Sequence, residues 1–154
     1  MRLTNFSDYS LRLLIYLGTH DEGLVTIEEI AESYGVSESH LVKVTHHLAQ
    51  RGYIKTTRGK GGGIRLARSA DKINLGKLVR ETEENLNLVE CFDKSVSKCR
   101  IESACVLKGI LSRALDQFFA VLDGYTVADL CLNRSKLAKI LVLPAPAVRR
   151  SQSI

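Results

Sequence analysis

Three cysteines lie close together in this chain of 154 residues, at positions 91, 99 and 105, and the only other cysteine is Cys131. Three thiolates in one short stretch can hold a metal ion or an iron–sulfur cluster on three sides. The fourth ligand must then come from elsewhere in the fold, and it can be a weaker one. The cluster of cysteines therefore predicts an inorganic centre that a small molecule can attack.

The gaps between these cysteines are seven and five residues, and they contain no Cys-x-x-Cys pair. Most structural zinc sites have such a pair, so the wide gaps favour a loop wrapped over something larger than one ion. A zinc site and three ordinary thiols, buried or solvated, remain open as alternatives. Cys131 is a poor fourth ligand, because Leu130 and Leu132 make it part of an apolar helical segment and free cysteine is commonly buried.

Charge is distributed unevenly along the chain, which carries a net charge of +5. Residues 39–70 contain no carboxylate, and the cations there are Lys43, Arg51, Lys55, Arg58, Lys60, Arg65 and Arg68. The balance reverses between residues 81 and 93, where the acids are Glu81, Glu83, Glu84, Glu90 and Asp93. A basic region of this kind indicates an anionic partner such as nucleic acid.

Neither a secretory signal nor a membrane span is expected. The apolar run at residues 13–17 is too short for a signal-peptide core, and no stretch approaches the roughly 18 apolar residues that a membrane helix needs. We therefore expect a cytoplasmic protein without a membrane partner. Thiols stay reduced there, and clustered cysteines bind metal or do redox work more often than they form disulfides.

Residues 28–51 are predicted to form a helix-turn-helix. Thr26 and Glu29 make a capping box that opens one helix, and this helix ends at Gly35. Ser37 is expected to cap a second helix that ends at Gly52, and a short turn containing glycine between two helices is typical of this motif. Two β-prone runs, residues 53–57 and 64–67, enclose a glycine-rich loop with two cations. Together these elements predict a winged helix.

The second helix of this motif is the expected DNA-reading element. Leu41, Val44 and Leu48 follow core spacing, which turns short polar or cationic side chains outward, toward base edges and phosphates. The predicted DNA contacts in the helix and the wing are Ser37, Ser39, His40, Lys43, His46, His47, Arg58, Lys60 and Arg65. The alternative is a solvated basic face on a structural hairpin, with the two adjacent histidines merely solvated.

An enzyme is not expected. The glycine run matches neither the phosphate-loop pattern nor the dinucleotide-binding fingerprint, and it precedes a strand rather than a helix. From residue 105 to 123, apolar positions advance in alternating steps of three and one, which predicts a long amphipathic helix ended by Gly124. A short helix should open at Thr126, and residues 144–154 are expected to be disordered.

Four segments together resemble the winged-helix iron–sulfur regulators, the family that includes IscR, RirA and NsrR. They are LVKVTHHL at residues 41–48, GYI at 52–54, TRGKGGGIRL at 57–66 and LVECF at 88–92. The resemblance implies a mainly α fold with a small β-hairpin, in which a winged helix-turn-helix precedes a long C-terminal dimerisation helix. It places the DNA-binding domain in residues 1–80, a connecting helix and cluster-binding loop in 81–105, the dimerisation helix and a short C-terminal helix in 106–143, and a tail in 144–154.

The resemblance also implies the cofactor. The three clustered cysteines match the thiolate ligands of one iron–sulfur cluster per subunit, with 4Fe–4S favoured and 2Fe–2S possible. The fourth ligand of this family is not cysteine, and Asp8 of the partner subunit is the candidate, because a carboxylate binds iron more labily than a thiolate. The alternative is an acid stabilised by the dipole at the start of a helix. Weaker candidates are Glu90 and His20.

The implied function is transcriptional repression. A homodimer would bind a palindromic operator in double-stranded DNA while its cluster is intact, and nitric oxide would nitrosylate the cluster, release the DNA and derepress nitric-oxide detoxification genes. Two alternatives remain open. One is an iron-responsive or cluster-status-responsive regulator of the same family, because the gap after Cys91 also occurs in the RirA branch. The other is a DNA-binding regulator with a zinc or thiol site.

Overall fold

A computed structural model of the chain describes residues 2–20 and 23–141. Helices and a two-stranded antiparallel sheet make up the regular structure of this part. The helices are α1 (Asn5–Thr19), α2 (Ile27–Tyr34), α3 (Glu38–Gln50), α4 (Leu75–Thr82), α5 (Val106–Asp123), α6 (Val127–Leu130) and α7 (Arg134–Ile140), and the strands are β1 (Ile54–Thr57) and β2 (Gly63–Leu66). None of these helices is long and apolar enough to cross a membrane.

The predicted helix-turn-helix is present as α2 and α3. The Glu29 amide donates to the Thr26 hydroxyl at 3.1 Å, and the Thr26 amide donates to the Glu29 carboxylate at 2.6 Å. Helix α2 ends at Gly35, whose φ of 61° lies in the left-handed region that favours glycine. Ser37 stands at the N-cap of α3, but its side chain makes no capping hydrogen bond there. Local sequence therefore sets the start and end of α2, whereas the expected cap of α3 is absent.

The wing is a short antiparallel hairpin that follows α3 directly. Strands β1 and β2 pair with Ile54 opposite Leu66 and Thr57 opposite Gly63. Val25, just before α2, pairs with Ile64 and attaches the hairpin to the helix-turn-helix. Ile54 and Ile64 are buried, while the residues between the strands are mostly exposed. The hairpin is thus fixed at its base and projects its glycine-rich end outward.

Helix α1 forms the centre of the hydrophobic core. Its buried residues Leu13, Leu14, Tyr16 and Leu17 contact apolar side chains of α3, α4, α6 and the wing. Burial of one such side chain is worth about 1.5–3 kcal/mol relative to exposure. Helix α1 is therefore the element on which the helix-turn-helix, the wing and α4 are assembled.

Helices α4 and α5 are held together by a bidentate ion pair. Arg80 donates to both carboxylate oxygens of Asp123, at 2.6 and 2.8 Å, and its guanidinium lies 4.2 Å from the Phe119 ring centroid. Asn74 caps α4 by accepting from the Lys77 amide and also donates to the Asp123 carbonyl oxygen. These contacts fix the C-terminal end of α5 against α4.

The expected fold class, mainly α with a β-hairpin and a winged helix-turn-helix, is confirmed. The expected connecting helix is absent from residues 81–105, because after α4 ends at Thr82 this segment contains only two single 3-10 turns, Glu90–Phe92 and Glu102–Ala104. The predicted short helix after Thr126 is present as α6, with a capping box to Asp129. The tail at residues 144–154 lies outside the described residues.

Candidate metal centre and nucleic-acid interface

The outward face of α3 carries most of the predicted DNA contacts. Ser39, His40, Lys43 and His46 are all exposed, as is Ser37 at the start of the helix. The Ser37 and Ser39 hydroxyls are hydrogen-bonded to each other at 2.8 Å instead of capping the helix. Amide groups of the first turn of α3 are therefore not satisfied by the Ser37 side chain, and such amides favour a phosphate oxygen.

His47 does not lie on this outward face. Its side chain is half-buried, and its ring stands nearly perpendicular to that of Phe6 in α1, with ring centroids 5.3 Å apart. The Nε2 atom is enclosed and has no hydrogen-bond partner among the described residues. The expectation that both histidines face outward was therefore wrong for His47, because α1 covers the side of α3 on which it lies.

Cations lie along the wing as predicted. Arg58, Lys60 and Arg65 are exposed, and Arg65 stands directly opposite Lys55 across the two strands. Like charges placed opposite each other destabilise a hairpin in water. A polyanion bound to the wing would remove that repulsion, so the arrangement favours a nucleic-acid partner.

The end of the wing is built for close approach. Gly59 and Gly61 have φ values of 97° and 77°, which glycine adopts without strain. A Cβ atom on Gly62 would lie 2.3 Å from the Thr57 carbonyl oxygen, so no larger residue fits there without rearrangement. The glycine-rich sequence is therefore required by the turn that presents Arg58 and Lys60.

Sequence reasoning missed one residue of this surface. Val42 is 48% exposed among the polar side chains of α3. It lies one residue after Leu41, which points into the core, and the apolar spacing of the helix could have shown that Val42 falls off that stripe. An exposed aliphatic group on a groove-reading helix is suited to contact the methyl group of thymine.

We expect Val42→Ala to weaken operator binding by roughly 1 kcal/mol, about fivefold, because the substitution removes two methyl groups from an apolar contact. Fluorescence anisotropy with operator and with unrelated DNA measures this, and binding to unrelated DNA should not change. Uracil substituted for thymine, one position at a time, is the matched control. One such substitution should weaken the wild type but not the variant; equal sensitivity of both proteins would show that Val42 contacts no thymine.

The three clustered cysteines lie on the segment that links α4 to α5. Cys91 is buried in a 3-10 turn, Cys99 is half-buried in an irregular stretch, and Cys105 is the N-cap residue of α5. All three are free thiols. Backbone hydrogen bonds of this segment are local, as between the Phe92 amide and the Val89 carbonyl oxygen. The thiols are therefore held by a stretch of chain that can change shape without breaking a helix or a sheet.

Glu102 organises the C-terminal part of this segment. It accepts hydrogen bonds from the Ser97 hydroxyl at 2.6 Å and from the Lys108 ammonium at 2.5 Å. The hydrogen bond from Lys108 is the main cause, and the one from Ser97 the second, that lowers the pKa of the Glu102 carboxyl below its usual value. The pKa of Lys108 is raised, chiefly by Glu102 and further by the nearby thiols of Cys91 and Cys105. An ammonium group thus lies on the side of the loop where two of the thiols lie.

The donor set fits an iron–sulfur cluster, although the thiols are not gathered around a common point. Three free, soft sulfur ligands on a loop are the chemistry that such a cluster requires. No group of three His, Cys, Asp or Glu side chains in residues 2–20 and 23–141 is close enough to hold a single metal ion. Binding would therefore bring the thiols together through a change of the loop.

The candidates for a fourth ligand lie in different surroundings. Asp8, in the first turn of α1, is paired with Arg12 at 2.8 Å, and both side chains are about two-fifths exposed. Glu90 is exposed beside Cys91. His20, at the other end of α1, is stacked on Tyr16, with ring centroids 4.6 Å apart.

Cys131 contacts the C-terminal part of α1. Its thiol is 3.8 Å from the Ile15 carbonyl oxygen and 3.9 Å from the Thr19 hydroxyl. Burial raises the pKa of this thiol, which favours the neutral form and disfavours metal binding. This setting agrees with the interpretation of Cys131 as a structural residue.

The fold and the surface of α3 and the wing define a winged-helix DNA-binding regulator. The model of the family described as "Rrf2: Iron-dependent Transcriptional regulator" matches residues 3–133, and the chain belongs to this family. Among similar proteins, the HTH-type transcriptional regulator NsrR of Bacillus subtilis (strain 168) is 49% identical over 142 residues, which is 92% of this chain and 97% of that protein. The NsrR of Geobacillus kaustophilus is 47% identical over the same shares of both chains.

Solved structures agree with this assignment. The oxidized form of Staphylococcus aureus CymR superposes with a TM-score of 0.70 at 27% identity, over 86% of this chain and 97% of that one. T. potens IscR superposes with a TM-score of 0.69 at 27% identity, over 86% and 88% of the two chains. The relatives are transcriptional regulators, so the expectation of a DNA-binding regulator that is not an enzyme is confirmed.

Proposed function

We propose that this protein is a cytoplasmic transcriptional repressor that binds a palindromic operator as a homodimer while an iron–sulfur cluster is intact, and that reaction of the cluster with nitric oxide releases the DNA. Nitric-oxide detoxification genes would then be derepressed. The observation that carries the proposal is the position of three free thiols on the segment that joins the DNA-binding half to α5. The naming of several relatives at 44–49% identity as NsrR supports nitric oxide as the signal.

A homodimer is supported by the exposed apolar side of α5. Val106, Leu107, Ile110 and Val121 are 76%, 58%, 47% and 60% exposed, and Gly109 leaves open space beside them. A helix that exposes so many aliphatic groups is stabilised by pairing with another copy of itself. Pairing by a twofold axis would present two α3 helices to half-sites about one helical turn apart, which is the arrangement a palindrome requires.

Cys91, Cys99 and Cys105 are the proposed cluster ligands, with Asp8 of the partner subunit as the fourth. When bound, the cluster supplies a labile iron centre that reacts with nitric oxide; we favour a 4Fe–4S cluster, and a 2Fe–2S cluster is the alternative. The residues themselves connect the site to the rest of the fold. Cys105 is the N-cap residue of α5, so a change at the thiols acts directly on the helix proposed to join the two subunits.

Iron is the second candidate signal. The matching family is described as iron-dependent, and T. potens IscR is among the similar structures. The same three thiols would serve a regulator that responds to iron supply or to cluster status. Zinc or a simple thiol sensor is the remaining alternative, and metal and sulfide analysis of anaerobically purified protein would identify it by stoichiometric zinc without sulfide.

One anaerobic titration tests the proposed function. Protein purified without oxygen is titrated with nitric oxide while cluster absorbance and operator binding are followed in the same samples. We expect both signals to fall together. A protein that keeps its operator affinity after the cluster spectrum has changed would contradict nitric-oxide control, and an equal affinity after complete removal of iron would contradict cluster control altogether.

Asp8 is tested by its effect on cluster retention. We expect Asp8→Ala to lower the iron content of the purified dimer and to speed cluster loss, because one ligand is removed. The substitution also breaks the contact with Arg12, so Arg12→Met is the matched control. That exposed ion pair is worth less than about 1 kcal/mol, and its loss alone should leave the iron content unchanged. Equal iron content in both variants and the wild type would assign the fourth position to another residue.

A further inference from the structure

The last turn of α4 and its C-cap residue make hydrogen bonds to the base of the wing and to two positions at the start of α1. Glu81 accepts from the Tyr53 hydroxyl, at 2.7 Å, at the base of the wing. The Thr82 hydroxyl is hydrogen-bonded to that of Ser7 in α1, at 2.7 Å and in a buried position. Glu83 accepts from the amide of Thr4 at 2.7 Å, at the N-cap of α1. Three consecutive residues thus connect the start of the cysteine segment with the elements that position α3 and the wing.

Tyr53 is itself part of a rigid unit. It is 2% exposed and lies between α3 and β1. The Arg68 guanidinium lies 4.7 Å from its ring centroid and donates to the carbonyl oxygens of Gly52 and Arg51, both at 3.0 Å, at the end of α3. The Tyr53 carbonyl oxygen accepts from the amide of Ala67, just after β2. If the Tyr53 side chain is displaced, the end of α3 and both strands are therefore displaced with it.

Polar contacts set the angle between α4 and the elements that it touches, α1 and the base of the wing, because apolar packing at this interface is incomplete. A cleft of about 360 Å³, open to solvent on one side, lies between α1, α3 and the last turn of α4, and its lining includes His47, Glu81 and Glu83. His47 of α3, one of these lining residues, has an enclosed Nε2 atom without a hydrogen-bond partner within the described residues. Two elements with open space between them can change the angle at which they meet without overlap of atoms. The hydrogen bonds between α4 and its neighbours therefore decide which of these angles is populated.

The carboxylates at the end of α4 need the hydrogen bonds from Tyr53 and Thr4, because their charges are unfavourably placed. Glu81, Glu83 and Glu84 bring three carboxylates to the C-terminal end of a helix, where the helix dipole disfavours negative charge. Lys77 offers only a distant partner, with its ammonium nitrogen 3.9 Å from Glu81 on the exposed side. The Tyr53 hydroxyl is therefore the closer partner of the Glu81 carboxylate.

We propose that Glu81 is a positioning residue for operator binding, which holds α3 and the wing at one angle to α4 through the Tyr53 hydroxyl. Thr82 and Glu83 hold α1 to the same turn. The cysteine segment begins where this turn ends, so a change in that segment alters the angle at which α3 and the wing meet DNA. The last step rests on the proposed cluster-controlled function; the positioning of α3 and the wing does not.

The test compares operator and unrelated DNA as ligands of Tyr53→Phe, Glu81→Ala and Glu81→Gln in the full-length dimer. Loss of a hydrogen bond to a charged group shifts an equilibrium by about tenfold. We expect Tyr53→Phe and Glu81→Ala to bind operator about tenfold more weakly, with binding to unrelated DNA unchanged. Glu81→Gln keeps an acceptor and should retain most of the affinity. Lys77→Ala, which loses the exposed contact with the same carboxylate, should bind like the wild type.

Operator affinity is then measured for each protein twice, with the cluster intact and with iron removed. The ratio of these two operator affinities should move toward one in Tyr53→Phe and Glu81→Ala, but not in Glu81→Gln. Wild-type affinity and wild-type ratio in both disrupted variants would overturn the proposal. If the wild type itself shows no difference between the two states, the proposed function fails, and the affinities for operator and unrelated DNA still decide the role of Glu81. Should Tyr53→Phe unfold, the Glu81→Ala and Glu81→Gln pair gives the same decision.

Discussion

Cys99→Ala is expected to remove the cluster and with it most of the operator binding. A switch of operator occupancy from 99:1 to 1:99 needs about 5.5 kcal/mol of differential binding. A switch of that size corresponds to about 10,000-fold in affinity, so a variant that cannot assemble the centre should lose about 10,000-fold in operator affinity. Iron and sulfide analysis of anaerobic protein, followed by anisotropy titration with operator DNA, measures both quantities on one sample. The loss should exceed that of any single substitution on the DNA-binding surface.

Cys131→Ala is the matched control for this prediction. It makes the same chemical change at a free cysteine that contacts Ile15 and Thr19 of α1 rather than the proposed cluster ligands. We expect wild-type iron content and wild-type operator binding, with a small loss of thermal stability from the half-buried position. Normal repression by a cluster-free Cys99→Ala protein would show that the thiols do not control DNA binding.

Removal of both cations at the end of the wing is expected to have the second largest effect. If Arg58 and Lys60 each contact a phosphate, the double Arg58→Ala/Lys60→Ala variant releases about two fewer counterions on binding. The plot of log affinity against log salt should then become less steep by about 1.8, from roughly 0.9 for each contact. We expect operator affinity near 0.1 M salt to fall by about 10- to 100-fold, because the net contribution of one hydrogen bond at a solvated surface is about 0.5–1.5 kcal/mol and two are lost.

The control must remove the same charge elsewhere. Lys136 and Lys139 are exposed on α7, outside the helix-turn-helix and the wing, and the double Lys136→Ala/Lys139→Ala variant has the same net charge as the wing variant. Its salt dependence should match that of the wild type. Equal slopes for the wing variant and the wild type would show that these two cations are merely solvated, which was the alternative considered for this basic surface.

Local chemistry made much of the DNA-binding half predictable. Thr26 and Glu29 form the predicted capping box, and Gly35 ends α2 in the left-handed conformation that its sequence position suggested. Asn74 caps α4 as an N-cap side chain should. Each of these features depends on residues within four positions of one another, so the sequence contains the whole interaction.

Predictions that depended on a third element were less successful. His47 was expected to face outward, but α1 packs against that side of α3, and the Nε2 atom of His47 is enclosed. The spacing of the core residues on α3 indicates which side is buried, but not how far a neighbouring helix extends around it. Val42 was missed although the spacing of the core residues places it off the buried side, because spacing alone does not show that no other element covers that position.

The sequence by itself determined the class of this protein: a basic helix-turn-helix with a glycine-rich wing, three clustered thiols, and a long apolar-striped helix. Only the tertiary structure decided how these parts are joined. Tyr53 and Glu81 are 28 positions apart, and Arg80 and Asp123 are 43 apart. Contacts at such distances arise from the packing of whole elements, whose angles are set by the combined shape of many side chains. Periodicity and capping patterns carry no information about those angles, because they describe one helix or one turn at a time.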